Sequence, residues 1–512
     1  MQWGLFLVAL LPIIWLIFSL GVLKMAGSKA CVIGLVLTVV LAIVAFKMPL
    51  VDSLTAALEG AVMGVWPIVY IIIAAVFTYN LTTASGSMAT IRTGLSSITS
   101  DKRLLVLIIA WGFGGFLEAI AGFGTAVAIP ASILIAFGVD PILSATICLI
   151  ANTTPTAFGA IGLPVTTLAQ ISGLNVQHLS YLVAVQLLPL IVIIPFILVA
   201  LIGGGIKAIK EVWMPTLAAG LAFGVPQIFV ARFIGAELPA IIGSIICIIV
   251  TVWFALRYER KHPSAEATTT AAPKAKAFVL AAMPFILVFV FVMLASPLVP
   301  PLNHFLTSIK SELTIYTGAG ASPYVFNWIS TPGTLIILAT IIGGLIQKMP
   351  LGEIFKILGK TARQMTQTLI TVCAIVALAK VMGYSGMIAI IAATLVGVLG
   401  VFYPLIAPLI GALGTFVTGS DTSANVLFGG LQRQAASTLH DNTYWVVAAN
   451  AVGATAGKMI SPQSIAVASA ATNLQGQEGT ILKKSMTYFL GYLVAICAWI
   501  FLSGLFIHML HI

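Results

Sequence analysis

Apolar runs of about 20 residues recur along the whole of this 512-residue chain, and each is long enough to cross a bilayer as a helix. Only 7% of the residues are charged, whereas soluble domains carry roughly 25%. A soluble fold is therefore excluded. The pattern predicts an all-α polytopic membrane protein with about 12 transmembrane helices plus re-entrant hairpins, surrounded by the lipid bilayer.

The basic residues lie between the apolar runs. They give the chain a net charge of +10, which in a soluble protein would suggest a nucleic-acid partner. Here they are interpreted as orientation signals that keep their loops in the cytoplasm, which places the N-terminus outside and predicts no nucleic-acid binding. A polar stretch at 257–276 predicts a cytoplasmic linker between a first membrane half, 1–256, and a second, 277–512.

Enzyme chemistry is not indicated. The five cysteines all lie in apolar segments, and the six histidines form no metal-binding spacing, so neither a metal site nor a cofactor is predicted. No nucleophile–base motif and no phosphate-binding loop for ATP is present. A secondary transporter fits these absences best, and the oligomeric state is left open.

The two halves share a pattern of glycines and polar residues. The segment 118-EAIAGFGTAVA-128 corresponds to 415-TFVTGSDTSAN-425, and 152-NTTPTAFGAIGLP-164 corresponds to 450-NAVGATAGKMISP-462. The chain after Gly86 is basic, whereas the chain after the corresponding Gly386 has no charge until Asp421. The halves are therefore predicted to be two inverted-topology repeats, an arrangement typical of secondary transporters with a site near the bilayer midplane.

Glu118 stands beside a cluster of glycines within an apolar run. Broken backbone at membrane depth is tolerated only where it is buried in protein or lines a cavity. A hairpin is therefore predicted near 114–130, with Gly122, Phe123 and Gly124 at its tip and a new helix from Thr125, whose free N–H groups would attract an anion. A second hairpin is predicted near 411–428, with its tip at Gly419.

Two acids are candidate proton carriers, Glu118 and Asp421. A carboxylate at the bilayer centre is costly, by about 3 kcal/mol or more on insertion scales. Removal from water favours the protonated carboxyl, so such a group can gain and lose a proton. Two structural alternatives remain at this point: an ion pair for Glu118 and a helix N-cap for Asp421.

The polar neighbours of the tips also have two interpretations. Ser420, Thr422, Ser423 and Thr125 either contact a small hydroxy acid or serve as small helix-packing residues. Asn152, Asn425 and Asn450 either bind substrate or join helices. Lys458 either neutralises a substrate carboxylate or extends from a helix end toward water. Lys380 is interpreted as interfacial, and Arg433 as a helix-end charge.

Four motifs resemble those of the bacterial L-lactate permease family, and the likeness covers nearly the whole chain. They are 117-LEAIAGFG-124, 152-NTTPTAFGAIGLP-164, 418-TGSDTS-423 and 457-GKMISPQS-464. Within the first, Ala119 and Ile120 stand where the family commonly has glycine and alanine. The resemblance implies a cytoplasmic (inner) membrane permease that moves lactate with protons, commonly accepts glycolate or D-lactate, and has an inverted-repeat fold with re-entrant hairpins.

The function expected from these patterns is L-lactate import by proton symport. A sodium-coupled or exchange carrier for another small organic anion is the alternative, and a channel or membrane enzyme is the least favoured class. Glu118 and Asp421 are the candidate proton-coupling residues. The candidate substrate-binding residues are Gly122, Phe123, Gly124, Thr125, Asn152, Thr153, Ser420, Thr422, Ser423, Asn425, Asn450, Lys458 and Gln463.

Overall fold

A computed structural model describes residues 3–23, 25–122, 124–261, 273–296, 298–474 and 477–509. Phe123 of the predicted tip and most of the predicted linker, residues 262–272, lie outside these ranges. The first five residues of that linker, 257–261, continue the preceding helix.

Helices account for nearly all of the first half. Those up to the first predicted hairpin are α1 (Trp3–Ile17), α2 (Gly27–Val44), α3 (Leu50–Met63), α4 (Tyr70–Ala84), α5 (Ser87–Ser96), α6 (Lys102–Val106) and α7 (Gly114–Ile120). Those after it are α8 (Thr125–Ala136), α9 (Pro141–Ala151), α10 (Gly159–Ser172), α11 (Val176–Ile202), α12 (Ile209–Phe233) and α13 (Pro239–Lys261). Wider π-helical turns occur at Phe18–Val22, Gly64–Val69 and Leu107–Phe113, and tighter 3₁₀ turns at Thr154–Phe158 and Ile206–Ala208.

The second half is built in the same way. Its helices are α14 (Ala275–Ala295), α15 (Pro300–Ser308), α16 (Pro332–Ile346), α17 (Leu351–Gln364), α18 (Thr366–Tyr384), α19 (Met387–Leu399), α20 (Tyr403–Thr418), α21 (Asp421–Leu439), α22 (Thr443–Lys458), α23 (Pro462–Ala471) and α24 (Glu478–Met509). A 3₁₀ turn at Gly400–Phe402 joins α19 to α20.

Among the described residues, 11 helical stretches are long and apolar enough to cross a membrane, or 12 if the bent pair α9–α10 is counted as one. The predicted number of about 12 is confirmed. Large apolar side chains such as Val36, Phe229 and Val494 lie exposed on the outer helices. In a bilayer these faces contact lipid rather than water. The chain is therefore a multi-pass membrane protein.

A small β-hairpin, which the sequence pattern did not predict, lies in the segment between α15 and α16. Strand β1 (Lys310–Leu313) pairs antiparallel with β2 (Tyr324–Asn327), so that Lys310 faces Asn327 and Leu313 faces Tyr324. The loop between the strands packs against α3 through a hydrogen bond from Thr317 Oγ1 to Asp52 Oδ1, at 3.0 Å.

Interruptions between helices fall at the glycines that the two halves share. Gly86 and Gly386 both adopt the left-handed conformation immediately before a new helix, with φ of 73° and 84°. Gly122 and Gly419 also have positive φ, 60° and 70°. These matches agree with the predicted repeat, and its inverted orientation stays a prediction.

One pair within the proposed repeat differs. Asn152 caps the C-terminal end of α9, whereas Asn450 lies in the middle of the continuous helix α22. Pro155 follows Asn152 closely and cannot continue an α-helix, since it lacks an N–H group. Alanine, valine and glycine follow Asn450, so α22 runs on to Lys458.

Three glycines bring α20 and α22 into close contact. A Cβ on Gly411, Gly453 or Gly457 would overlap a backbone carbonyl oxygen of the facing helix. Small residues at helix contacts are typical of membrane proteins, where close backbone approach replaces the hydrophobic effect as the source of association. This contact fixes the positions of the helix ends that form the site.

Candidate functional site

The first hairpin turn lies between α7 and α8, as predicted. Helix α7 ends after Ile120, Gly122 and Gly124 have positive φ, and α8 begins at Thr125. The Thr125 hydroxyl donates a hydrogen bond to the carbonyl oxygen of Gly122 at 2.9 Å, which stabilises the turn. The backbone N–H groups at the start of α8 therefore lie next to the end of α7, which carries Glu118.

The second hairpin turn lies between α20 and α21. Gly419 has a φ of 70°, and the Ser420 hydroxyl accepts a hydrogen bond from the Ser423 N–H, so Ser420 is the N-cap of α21. Asp421 is the first residue of the helix, and its interpretation as the N-cap is wrong. Thr422 and Ser423 follow in the first turn of α21 and are buried.

A third interruption separates α9 from α10. After Asn152 the chain forms a 3₁₀ turn, Thr154–Phe158, and then Ala160, Ile161 and Gly162 all adopt positive φ, between 44° and 74°. A β-branched residue such as isoleucine is rarely found in this conformation. Strained backbone of this kind is concentrated at functional sites, where the surrounding structure maintains it.

The third interruption reaches Glu118 directly. A Cβ placed on Gly159 would lie 2.9 Å from Glu118 Oε1, so only glycine leaves room for the carboxylate. A Cβ on Gly122 would lie 3.7 Å from the same oxygen. The acid is thus enclosed by the first hairpin turn and the α9–α10 break.

Helix α23 contacts both hairpin turns. The side chain of Val467 packs against Gly124, and that of Gln463 packs against Gly419. Lys458, at the end of α22, donates a hydrogen bond from Nζ to the Gly419 carbonyl oxygen at 3.2 Å. The break between α22, which ends at Lys458, and α23, which begins at Pro462, is a fourth interruption. The site is therefore formed by four interruptions, contributed by both halves of the chain.

Two carboxylates and one lysine occupy this region. Glu118 and Asp421 are 3% and 4% exposed, and both lie within electrostatic reach of Lys458 and of each other. Glu118 Oε2 and both carboxylate oxygens of Asp421 accept no hydrogen bond of good geometry from the described residues, although polar side chains lie beside both acids. Buried polar atoms are nearly always paired, so these oxygens have capacity to bind a proton or a ligand.

Further unpaired polar groups surround the acids. Asn152 lies beside Glu118, yet neither of its amide atoms makes a hydrogen bond of good geometry within the described ranges. Thr415 and Thr156 lie beside Asp421, and the Thr415 hydroxyl is likewise buried without a hydrogen bond of good geometry in these ranges. Sequence reasoning identified Asn152 but missed both threonines, because hydroxyls within apolar helices give no distinctive signal.

Asn425 and Asn450 belong to a chain of bonded amides. Asn450 Nδ2 donates to Asn425 Oδ1 at 2.9 Å, and Asn425 Nδ2 donates to the Pro164 carbonyl oxygen at 3.0 Å. Gln432 donates from Nε2 to Asn450 Oδ1 at 3.1 Å, and its Oε1 accepts from the Tyr403 hydroxyl at 2.9 Å. These bonds join α10, α20, α21 and α22 beside the site.

The remaining candidates are placed as follows. The Thr153 hydroxyl is buried and donates to the Ile150 carbonyl oxygen at 2.7 Å, so it is engaged with its own helix. Phe123 lies outside the described residues. Gln463 is exposed on α23 beside the second turn. Within the described ranges, no group of three or more metal-binding side chains is found.

Two basic residues interpreted as structural have specific partners. Arg433 lies within α21 rather than at its end, and donates from Nη1 to the Ser172 carbonyl oxygen at the end of α10. Lys380 forms an ion pair with Glu59 at 2.7 Å and is 23% exposed. It therefore has a protein partner, which its interfacial interpretation did not include.

Two solved transporter structures resemble this fold. The YdaH transporter of Alcanivorax borkumensis aligns over 95% of this chain and 99% of its own, with a TM-score of 0.54 and 16% identity. MtrF of Neisseria gonorrhoeae aligns over 92% of this chain and 94% of its own, with a TM-score of 0.52 and 12% identity. It is described as one of a class of antimetabolite efflux pumps. At these identities the likeness concerns the fold alone.

Sequence relatives are closer, and they are named permeases rather than enzymes. The L-lactate permease of Streptococcus iniae is 59% identical over 86% of this chain and 93% of its own. The glycolate permease GlcA of Escherichia coli is 36% identical over 94% of this chain and 92% of its own. The L-lactate permease of Bacillus subtilis is 34% identical over 97% of this chain and 95% of its own. The sequence profile of the L-lactate permease family matches residues 5–507. The chain therefore belongs to the L-lactate permease family.

Proposed function

We propose that this protein imports L-lactate by proton symport, and that D-lactate and glycolate are further substrates. Its relatives include L-lactate permeases and a glycolate permease. All three anions are small 2-hydroxy acids, which suit a site made of backbone N–H groups, short hydroxyls and one lysine.

The net charge of the site is the observation that supports proton coupling. With Glu118 and Asp421 ionised and Lys458 protonated, the net charge is −2 + 1 = −1. A bound substrate anion would make the net charge −2 in a region removed from water, which is strongly unfavourable. Protonation of one acid restores −1, and protonation of both gives 0. Anion binding and proton binding therefore favour one another at this site.

The substrate carboxylate is assigned to the beginnings of α8 and α21. Both positions lie at the positive end of a helix dipole, which attracts anions. Gly122, Gly124 and Lys458 lie at the two turns, and Ser420, Thr422 and Ser423 provide hydroxyls for the 2-hydroxyl group. Phe123, Thr125, Asn152, Thr153 and Gln463 complete the proposed contact set.

Asn425 and Asn450 receive a different role in this proposal. Their amides are bonded to each other and to Gln432 and Pro164. We assign them to positioning α21 and α22, which carry Asp421 and Lys458, instead of to direct substrate contact.

The test is uptake of labelled L-lactate into proteoliposomes that contain the purified protein, under an imposed inward pH gradient, with and without sodium. Accumulation above equilibrium that is driven by the pH gradient alone is expected, with competition by D-lactate and glycolate. Accumulation that requires sodium would replace proton symport by sodium coupling. No uptake of any of the three anions would overturn the proposed substrate class.

A further inference from the structure

A second buried charge cluster lies apart from the four interruptions. Glu59 of α3 is 3% exposed, and one of its oxygens, Oε1, accepts from Lys380 Nζ at 2.7 Å and from the Tyr384 hydroxyl at 2.9 Å. Lys380 and Tyr384 lie four residues apart on α18, and thus on one face of that helix. Two donors of one helix therefore converge on a single carboxylate oxygen.

The other oxygen of this carboxylate has no partner. Glu59 Oε2 is buried and accepts no hydrogen bond from the residues that the structure describes. Buried ion pairs contribute stability only when their remaining lone pairs are also satisfied. The pair is thus poorly optimised for a purely structural role, whereas its donors are arranged as a carboxylate receptor requires.

The segment between α15 and α16 covers the cluster. The Tyr316 ring stacks on the Tyr384 ring, with centroids 3.8 Å apart and an angle of 14°. Thr317 donates to Asp52 at the start of α3, and the Tyr324 hydroxyl donates to the Trp66 carbonyl oxygen. Hydrogen bonds between Thr317 and Thr55 and the packing of Trp328 on Trp66 add to these contacts, most of them made by side chains of the cover. The Lys380 side chain remains 23% exposed at its edge.

The helices beneath the cover are held together much more closely. A Cβ on Gly64 would lie 2.8 Å from Cys373 Cα, and one on Gly60 would lie 2.7 Å from the Val376 carbonyl oxygen. Backbone contact of this kind leaves α3 and α18 little freedom to separate. Access to Lys380 and Tyr384 therefore requires movement of the covering segment and not of the helices.

We propose that Lys380 and Tyr384 form a second carboxylate-binding site for the transported hydroxy acid, and that Glu59 occupies this site when substrate is absent. The proposal rests on the proposed function. Substrate binding would exchange one carboxylate for another at the same two donors, so the charge beside Lys380 is unchanged. Lifting of the Tyr316 segment would admit the anion and expose the displaced Glu59 to water, which compensates for the loss of its partner.

The test compares the two members of the ion pair. Lys380→Gln removes a charged donor and is expected to raise the KM for L-lactate uptake by about tenfold or more. Glu59→Gln weakens the internal competitor and is expected to lower the same KM. A structural ion pair predicts loss of function, in the same direction, in both variants, because each leaves a buried charge without its partner.

Two controls complete the experiment. Lys310→Gln breaks the exposed ion pair with Glu312 in the same covering segment, and should leave KM unchanged. The exchanged pair Glu59→Lys with Lys380→Glu retains an ion pair but removes the receptor, so uptake should stay impaired. Recovery of wild-type KM by this exchange would overturn the proposal.

Tyr384→Phe is the substitute variant if Lys380→Gln or Glu59→Gln is not inserted into the membrane. It removes one hydroxyl and should raise KM about threefold to tenfold at normal folded yield, and an unchanged KM would overturn the proposal. Wild-type protein that takes up neither L-lactate nor glycolate would contradict the proposed function itself. Wild-type uptake with both charge variants shifted in the same direction would contradict only the second site.

Discussion

Glu118 Oε1 lies against the α-carbon of Gly159, so closely that an added Cβ would stand 2.9 Å from it. Gly159 has φ of −64° and ψ of 160°, a conformation open to any residue. Alanine at this position would therefore introduce no backbone strain, and its effect would act on the carboxylate alone.

We expect Gly159→Ala to reduce lactate uptake about tenfold while the protein still folds, because the methyl group displaces the Glu118 carboxylate. Initial uptake rates and size-exclusion profiles of the purified variant measure the two effects. Gly359→Ala is the matched control, since nothing lies within 4 Å of a Cβ at that position. Normal uptake by Gly159→Ala would show that the carboxylate position is not critical.

Glu118→Gln should abolish accumulation driven by a pH gradient but retain exchange of internal for external lactate. Glutamine preserves the shape of the side chain and cannot carry a proton. Both activities are measured in the same proteoliposomes, with the exposed Glu312→Gln as control. Undiminished accumulation in a correctly inserted variant would remove Glu118 from the coupling mechanism.

Lys458→Met should lower Vmax/KM at least about tenfold and reduce the yield of folded protein, because two buried carboxylates lose their shared cation. Adding Asp421→Asn should restore the yield but not the accumulation. Lys356→Met, on an exposed position of α17, is the control. If the double variant folds no better than Lys458→Met alone, the lysine and Asp421 are not electrostatically coupled.

Asn450→Ala should reduce the free energy of unfolding by about 1–3 kcal/mol, because it leaves Asn425 Oδ1 without a donor and removes one of the two acceptors of Gln432 Nε2 in a buried region. The KM for lactate should remain near the wild-type value. Thermal unfolding in detergent and uptake kinetics separate the two effects, with the exposed Gln434→Ala as control. A raised KM for lactate at unchanged thermal stability would indicate that Asn450 contacts the substrate directly.

Local chemistry made the hairpin turns predictable. Gly122, Gly124 and Gly419 interrupt apolar runs, and each adopts a positive φ that other residues rarely reach. The acids beside the turns were conspicuous for a similar reason, since a charge in an apolar run requires a partner or a function. The number of membrane-spanning helices followed from run length alone.

Long-range pairing was not predictable from the same patterns. Glu59 and Lys380 are 321 positions apart, and neither position indicates its partner. Thr156 approaches Asp421 only because helices from both halves pack together. Asn152 and Asn450 occupy matching places in the sequence, yet Pro155 ends one helix and no comparable residue ends the other, so their environments differ.

Helix α23 has a consequence for the order of events during transport. Gln463 contacts the turn of one hairpin and Val467 the turn of the other, and these residues lie one helical turn apart on the same face. A displacement of either turn must therefore be transmitted through this short helix to its counterpart. We therefore expect the two hairpin turns to move together during transport, and not one after the other.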